Sequence, residues 1–233
     1  MANYSELAVG GRAVAEGDVQ TRSRFIVRTY SHLLGAIAAF VGLEVLYFQT
    51  GAAEGIMRTM VGLPWLLVLG GFVLVSWLAS HAAARAVSMP AQYAALGAYV
   101  LAESLIFVPL LYIANRMAPG VIASASVVTG LGFIGLTSIA VLTRKDFSFL
   151  GALLWWGGAG AMLAIVGGTI FGFQLGMWFS VGMVVFAGAA ILYDTSNVLH
   201  SYPEDRYVSA SLQLFASVML LLWYVIRIFL SRK

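Results

Sequence analysis

The sequence predicts an all-α integral membrane protein with seven transmembrane helices. Three observations lead there. Hydrophobic residues make up 61% of the 233 and charged residues only 10%, against roughly 45–50% and about 25% in an ordinary soluble domain. The mean hydropathy is +0.92, more apolar surface than a water-soluble fold of this size can hide. The apolar runs are continuous and do not alternate, which excludes the strand pattern of an outer-membrane barrel. A spanning helix needs about 20 apolar residues, so there is room for about seven.

The spans follow from gaps in the charge pattern. Residues 59–84, 117–143 and 207–226 contain no Asp, Glu, Lys or Arg, and each suits one helix. The uncharged stretch 147–193 is 47 residues long, enough for two spans with a break where glycines cluster, from Gly167-Gly168 to Gly176. Two further apolar segments, 29–48 and 91–114, carry one internal acid each, Glu44 and Glu103. The expected spans are 29–48, 62–84, 91–114, 120–143, 148–168, 177–198 and 209–230. Residues 28–233 read as one membrane domain. Residues 1–27 read as a polar, cytoplasmic N-terminal tail, with no apolar core that would make a signal peptide.

Lys and Arg in the short loops set orientation. A cytoplasmic N-terminus puts eight basic residues on the cytoplasmic side and five on the other, with the C-terminus then periplasmic. The net charge of +3 reads as topology and gives no reason to expect a nucleic-acid partner. Cysteine is absent, so disulfides and thiolate chemistry are excluded. The 25 glycines let helices approach closely in lipid, where burial gives no driving force between helices.

A charge at the bilayer centre costs about 2.5–3.5 kcal/mol on insertion scales, so ionisable residues within spans are the functional candidates. Asp194 leads, at the end of Ala189-Ala190-Ile191-Leu192-Tyr193 and followed by Thr195, Ser196 and Asn197. Its protonation depends on how far it is desolvated and on whether a cation stands near. Arg85 and His81, at the same end of the second span, are the candidate cations for a pH-sensitive latch; the alternative is a wetted aspartate ending the helix. Glu103, near the middle of the third span, is either an ion-path carboxylate or a neutral acid bonded to a neighbouring helix. Glu44 is either on the ion path or snorkels to the interface, and Arg227 snorkels at the end of the seventh span. His32 reads as a core or interface residue. Arg144-Lys145-Asp146 reads as a charge cluster fixing topology, and Trp155-Trp156 as packing. No zincin motif, nucleophile elbow or Walker loop is present. With three separated histidines, a non-enzyme without a resident cofactor is the expectation.

Three segments resemble one family. They are Leu142-Thr143-Arg144-Lys145-Asp146-Phe147-Ser148-Phe149-Leu150-Gly151, entering the fifth span; Ile191-Leu192-Tyr193-Asp194-Thr195-Ser196-Asn197, ending the sixth; and, more loosely, Arg28-Thr29-Tyr30-Ser31-His32-Leu33-Leu34, opening the first. With the span count, the chain is similar over about residues 22–230 to the Bax inhibitor-1/YccA family, also called transmembrane Bax inhibitor motif proteins. The resemblance implies six helices around a central seventh. It also implies a pH-sensitive calcium leak, with an aspartate pair on the sixth and seventh helices and a latching arginine on the second. Carried over, Asp194 is the sixth-helix aspartate and the weak calcium candidate, and Arg85 the arginine, with His81 as competitor. The second aspartate is replaced by Ser217, ten residues before Arg227. One carboxylate facing a hydroxyl cannot act as a like-charge pair, and calcium affinity falls with ligand charge.

A serine there resembles the bacterial YccA-like branch, which restrains the membrane-anchored AAA protease FtsH through its N-terminal tail. Two readings result. One is an inner-membrane cation (calcium) leak channel or permease gated by Asp194, Ser217 and Arg85 or His81, with Glu103 and Glu44 on the ion path. The other is a non-transporting modulator of that protease.

Overall fold

The computed structural model describes residues 13–85, 88–143 and 145–231; the side chains of Glu16, Ala84 and Arg85 lie outside the description as well. Among the described residues eight α-helices follow one another: α1 (Val19–Gln49), α2 (Ala52–Val61), α3 (Trp65–Arg85), α4 (Met89–Met117), α5 (Val121–Thr143), α6 (Leu150–Phe171), α7 (Met177–His200) and α8 (Tyr207–Ser231). All but α2 belong to segments long and apolar enough to cross a membrane. This is an all-α multi-pass membrane protein.

α8 takes the centre. It packs against α1, α3, α4, α5 and α7, and 15 of its residues are buried. α6 is the exception in the ring: it rests on α7 and grazes α3. Only Leu154 and Gly168 of its 22 residues are buried. Outward faces stay apolar, with Leu131 and Ile134 of α5 and Trp156 and Leu163 of α6 all exposed. A helix apolar all round suits a lipid solvent. Contact between these helices therefore draws on close packing and hydrogen bonds. At the core, Phe40 of α1 meets Phe107 of α4 edge-on at 5.1 Å, and Phe107 meets Trp223 of α8 at 5.0 Å. Such geometries suit the ring quadrupoles.

Two boundaries differ from expectation. α1 starts at Val19, so residues 19–27 are helix and not tail. The Asp18 carboxylate caps that helix by accepting from the Thr21 N–H at 2.7 Å, and the bonds to Thr21 hold the Asp18 carboxyl below its ordinary range. Phe25 is buried and stacks on Tyr202, while the Val14 N–H donates to the Tyr202 carbonyl at 2.9 Å. The segment 13–27 is thus docked on the α7–α8 turn; we call this the tail side of the bundle and its opposite the far side. The second difference is α2, a ten-residue far-side helix with an exposed Arg58–Glu54 pair at 2.6 Å. The expected break in the long uncharged stretch is residues 172–176, and Gly172 ends α6 at φ 75°, a left-handed conformation that suits glycine.

Candidate functional site

α7 brings Asp194 within six residues of its tail-side end. The residue is 8% exposed, and Ser217 of α8, 7% exposed, donates to its Oδ2 at 2.5 Å. The following Thr195, Ser196 and Asn197 are buried too, so Asp194 does not sit in a wetted helix end.

The three sequence motifs converge on this end of α7. The Phe147 N–H donates to Ser196 Oγ at 3.0 Å, and His200 Nδ1 lies 2.9 Å from the Ser196 carbonyl. The Tyr30, Thr137 and Thr195 hydroxyls are buried without a hydrogen-bond partner among the described residues. A Cβ on Gly151 would come within 3.1 Å of the Tyr193 ring. Asp146, in the loop before α6, accepts from the Ser148 N–H at 2.8 Å; this bond, with the Ser148 hydroxyl, holds its carboxyl below the ordinary range.

Ser217 also lines a cavity of about 680 Å³ between α3, α4, α6, α7 and α8. Glu103 and Tyr99 share its wall, and Arg227 and Gln174 stand at its far-side rim. By helix rise, Arg227 is about 15 Å from Ser217 along α8. Glu103 is 5% exposed, beside Tyr99 on its own helix. It lines the cavity wall.

Other candidates are placed differently. Glu44 does not snorkel. It ends the buried stripe of α1 (Phe25, Thr29, Leu33, Ala36, Phe40), is 7% exposed and is not on the cavity wall. Neither of its carboxylate oxygens has a hydrogen-bond partner among the described residues. His81 packs its ring against Trp77 at 4.3 Å and is not brought to Asp194. The side chain of Arg85 lies outside the described residues, as does Arg144. Among the described residues no cation forms an ion pair with Asp194. Arg227 sits with its guanidinium 5.8 Å from the Tyr224 ring centre. His32 bridges the Arg28 carbonyl and the Tyr93 hydroxyl, both at 2.7 Å, an interfacial role.

One polar cluster was missed from sequence. Ser209 Oγ lies 2.7 Å from the Ala83 carbonyl and 3.1 Å from Gln92 Oε1, and Arg206 donates to the same carbonyl. This cluster fastens the tail-side ends of α3, α4 and α8. Its members are mostly uncharged, so a search for ionisable residues passes over Gln92 and Ser209; glutamine inside an apolar run was the available signal.

Among the described residues no three His, Cys, Asp or Glu side chains converge on a metal position. At Asp194 one carboxylate and one hydroxyl are far short of the 6–8 oxygens calcium takes.

The architecture and buried polar site define a multi-pass helical membrane protein with a cavity lined by Ser217, which is hydrogen-bonded to the buried Asp194 carboxyl. Residues 22–233 match the family model described as "Inhibitor of apoptosis-promoting Bax1", and the chain belongs to this Bax inhibitor-1 family. An uncharacterized Pseudomonas aeruginosa protein is 36% identical over 122 residues, 51% of this chain and 54% of that protein. An uncharacterized membrane protein of Vibrio cholerae is 33% identical over 116 residues, 46% of this chain and 48% of its own. The match thus spans about half the length of these bacterial relatives. Mouse protein lifeguard 4 is 24% identical over 222 residues, covering 93% of this chain and 89% of its own.

Proposed function

We propose that this protein is a pH-sensitive cation leak pathway of a bacterial inner membrane, with calcium as the leading candidate ion and the N-terminus cytoplasmic. The observation that carries the reading is the Ser217–Asp194 hydrogen bond beside a cavity that Ser217 and Glu103 both line. In this reading an ion enters from the far side past Arg227 and meets Glu103 at mid-bundle. It leaves when the contact between α7 and α8 at Asp194 opens. Protonation of Asp194 sets how strongly that carboxyl holds Ser217, which couples the contact to pH. Arg85 is the latching cation in this scheme, ahead of His81, whose ring is occupied by Trp77.

The test is calcium flux into dye-loaded proteoliposomes across a pH series. Wild-type flux should follow pH, and flux through Asp194→Asn should not. Wild-type-like pH dependence in that variant overturns the gate. The modulator of a membrane-anchored AAA protease is the second reading. It needs a graspable N-terminal tail, and docking of residues 13–27 on the α7–α8 turn weighs against it. No flux above empty liposomes from folded protein would put it in front.

A further inference from the structure

The cavity also borders the seam between α3 and α6. α6 scarcely touches α3, and between them the wall is built from Leu69, Phe72 and Val73 on one side and Ala161, Met162 and Ile165 on the other. In a bilayer that gap faces acyl chains. The interior is largely apolar, with Phe107, Phe186 and Trp223 on its walls. Apolar cavities hold water poorly, and an empty volume forfeits dispersion contacts all along its lining. About 680 Å³ lies within the range of small-molecule pockets, roughly 300–1,000 Å³. Leu69, Phe72 and Val73 with Ala161, Met162 and Ile165 let hydrocarbon enter from the side along apolar surface, while Tyr99, Glu103 and Ser217 stand elsewhere on the wall.

The far-side rim supplies the complementary charge. The Arg227 guanidinium lies against Tyr224 and has no acidic partner among the described residues. The Gln174 amide stands at the same rim. An apolar shaft below a cation and an amide donor matches a chain below an anionic head. We infer that this cavity binds one acyl chain of an anionic bilayer lipid, entering between α3 and α6 with its headgroup on Arg227. The site rests on the cavity and its rim and not on ion passage; a chain seated there would occupy the space that the leak reading assigns to the ion.

The test uses full-length protein in nanodiscs containing either phosphatidylglycerol or phosphatidylcholine with a diazirine in one acyl chain, cross-links being mapped by mass spectrometry. Phosphatidylglycerol should label the cavity residues Met183, Phe186 and Leu220 about fivefold more than phosphatidylcholine, the factor one basic residue near an anionic headgroup supports. Arg227→Gln should bring the two lipids level, and Arg227→Lys should keep the preference. Ala161→Trp, which fills the shaft from α6, should remove the cavity labels. Labels on the outward-facing Leu163 and Trp156 should persist in it and report an intact bundle. Wild-type labels confined to those outward residues overturn the site. Equal cavity labelling by the two lipids overturns its anionic selectivity and with it the proposal. Flux is not read, so this result and the failure of the leak reading are separable.

Discussion

Replacing Ser217 with alanine removes the hydrogen bond described for the Asp194 carboxyl, made at 2.5 Å between two residues less than a tenth exposed. The size of the loss depends on the state of the acid. A hydrogen bond to a charged group contributes about 1.5–3 kcal/mol. Bonds between membrane helices average about 0.6 kcal/mol in double-mutant cycles. The cycle of Ser217→Ala with Asp194→Asn, followed by SDS-driven unfolding in mixed micelles, isolates the charge-dependent part of the bond because the asparagine keeps an acceptor oxygen without charge. The coupling should approach about 2 kcal/mol where Asp194 is ionised and vanish where it is protonated. Measured across pH, the coupling reads the protonation state of Asp194 directly. Coupling below about 0.3 kcal/mol at every pH, the level at which distant sites add independently, would refute the claim that Ser217 holds an ionised Asp194.

Three further outcomes are expected. Gly168→Ala should lower stability by about 1–3 kcal/mol, because its Cβ would come within 3.0 Å of the Phe173 carbonyl and overpacking costs that much; Gly160→Ala, with nothing within 4 Å, should be neutral or stabilising, and thermal unfolding in detergent compares them. Glu44→Leu should raise stability by about 1–3 kcal/mol, since a buried polar group without a partner costs that much and Glu44 is such a group; a drop in the same assay would mean that its oxygens are satisfied after all. The Asp146 carboxyl is held below its ordinary range in the fold, so its contribution is present above the unfolded value near pH 4 and is lost as pH falls through the folded value. Exchange of the Ser148 amide should therefore quicken below about pH 4, and Asp146→Ala should show the fast rate throughout.

The seven spans were legible because a charge-free run of about 20 residues has few alternatives in lipid. The start of α1 was not, because Arg22, Arg24 and Arg28 interrupt the apolar pattern where the helix projects beyond the expected span. α2 escaped as well: ten residues with a Glu54–Arg58 pair give a surface helix, not a span. Asp194 stood out as a carboxylate closing an apolar run. Its partner emerged only from the spacing implied by family resemblance, since nothing about a serine in an apolar helix marks it. His81 was misplaced because depth along a helix says nothing of azimuth: it shares the level of a latch but turns to Trp77. Glu44 looked able to snorkel from its position, yet it lies on the buried stripe that Phe40 and Ala36 define.

The central place of α8 has a consequence for synthesis. Translation delivers α1 to α7 before the helix that five of the others pack against. Until it arrives, Gln92 has not met Ser209 and Asp194 has not met Ser217. The nascent bundle must shelter these groups from hydrocarbon in the insertion machinery or through provisional contacts among the first seven helices. A chain stopped before residue 207 would carry them as permanent orphans, a polar signature by which membrane quality control can tell an unfinished copy from a complete one.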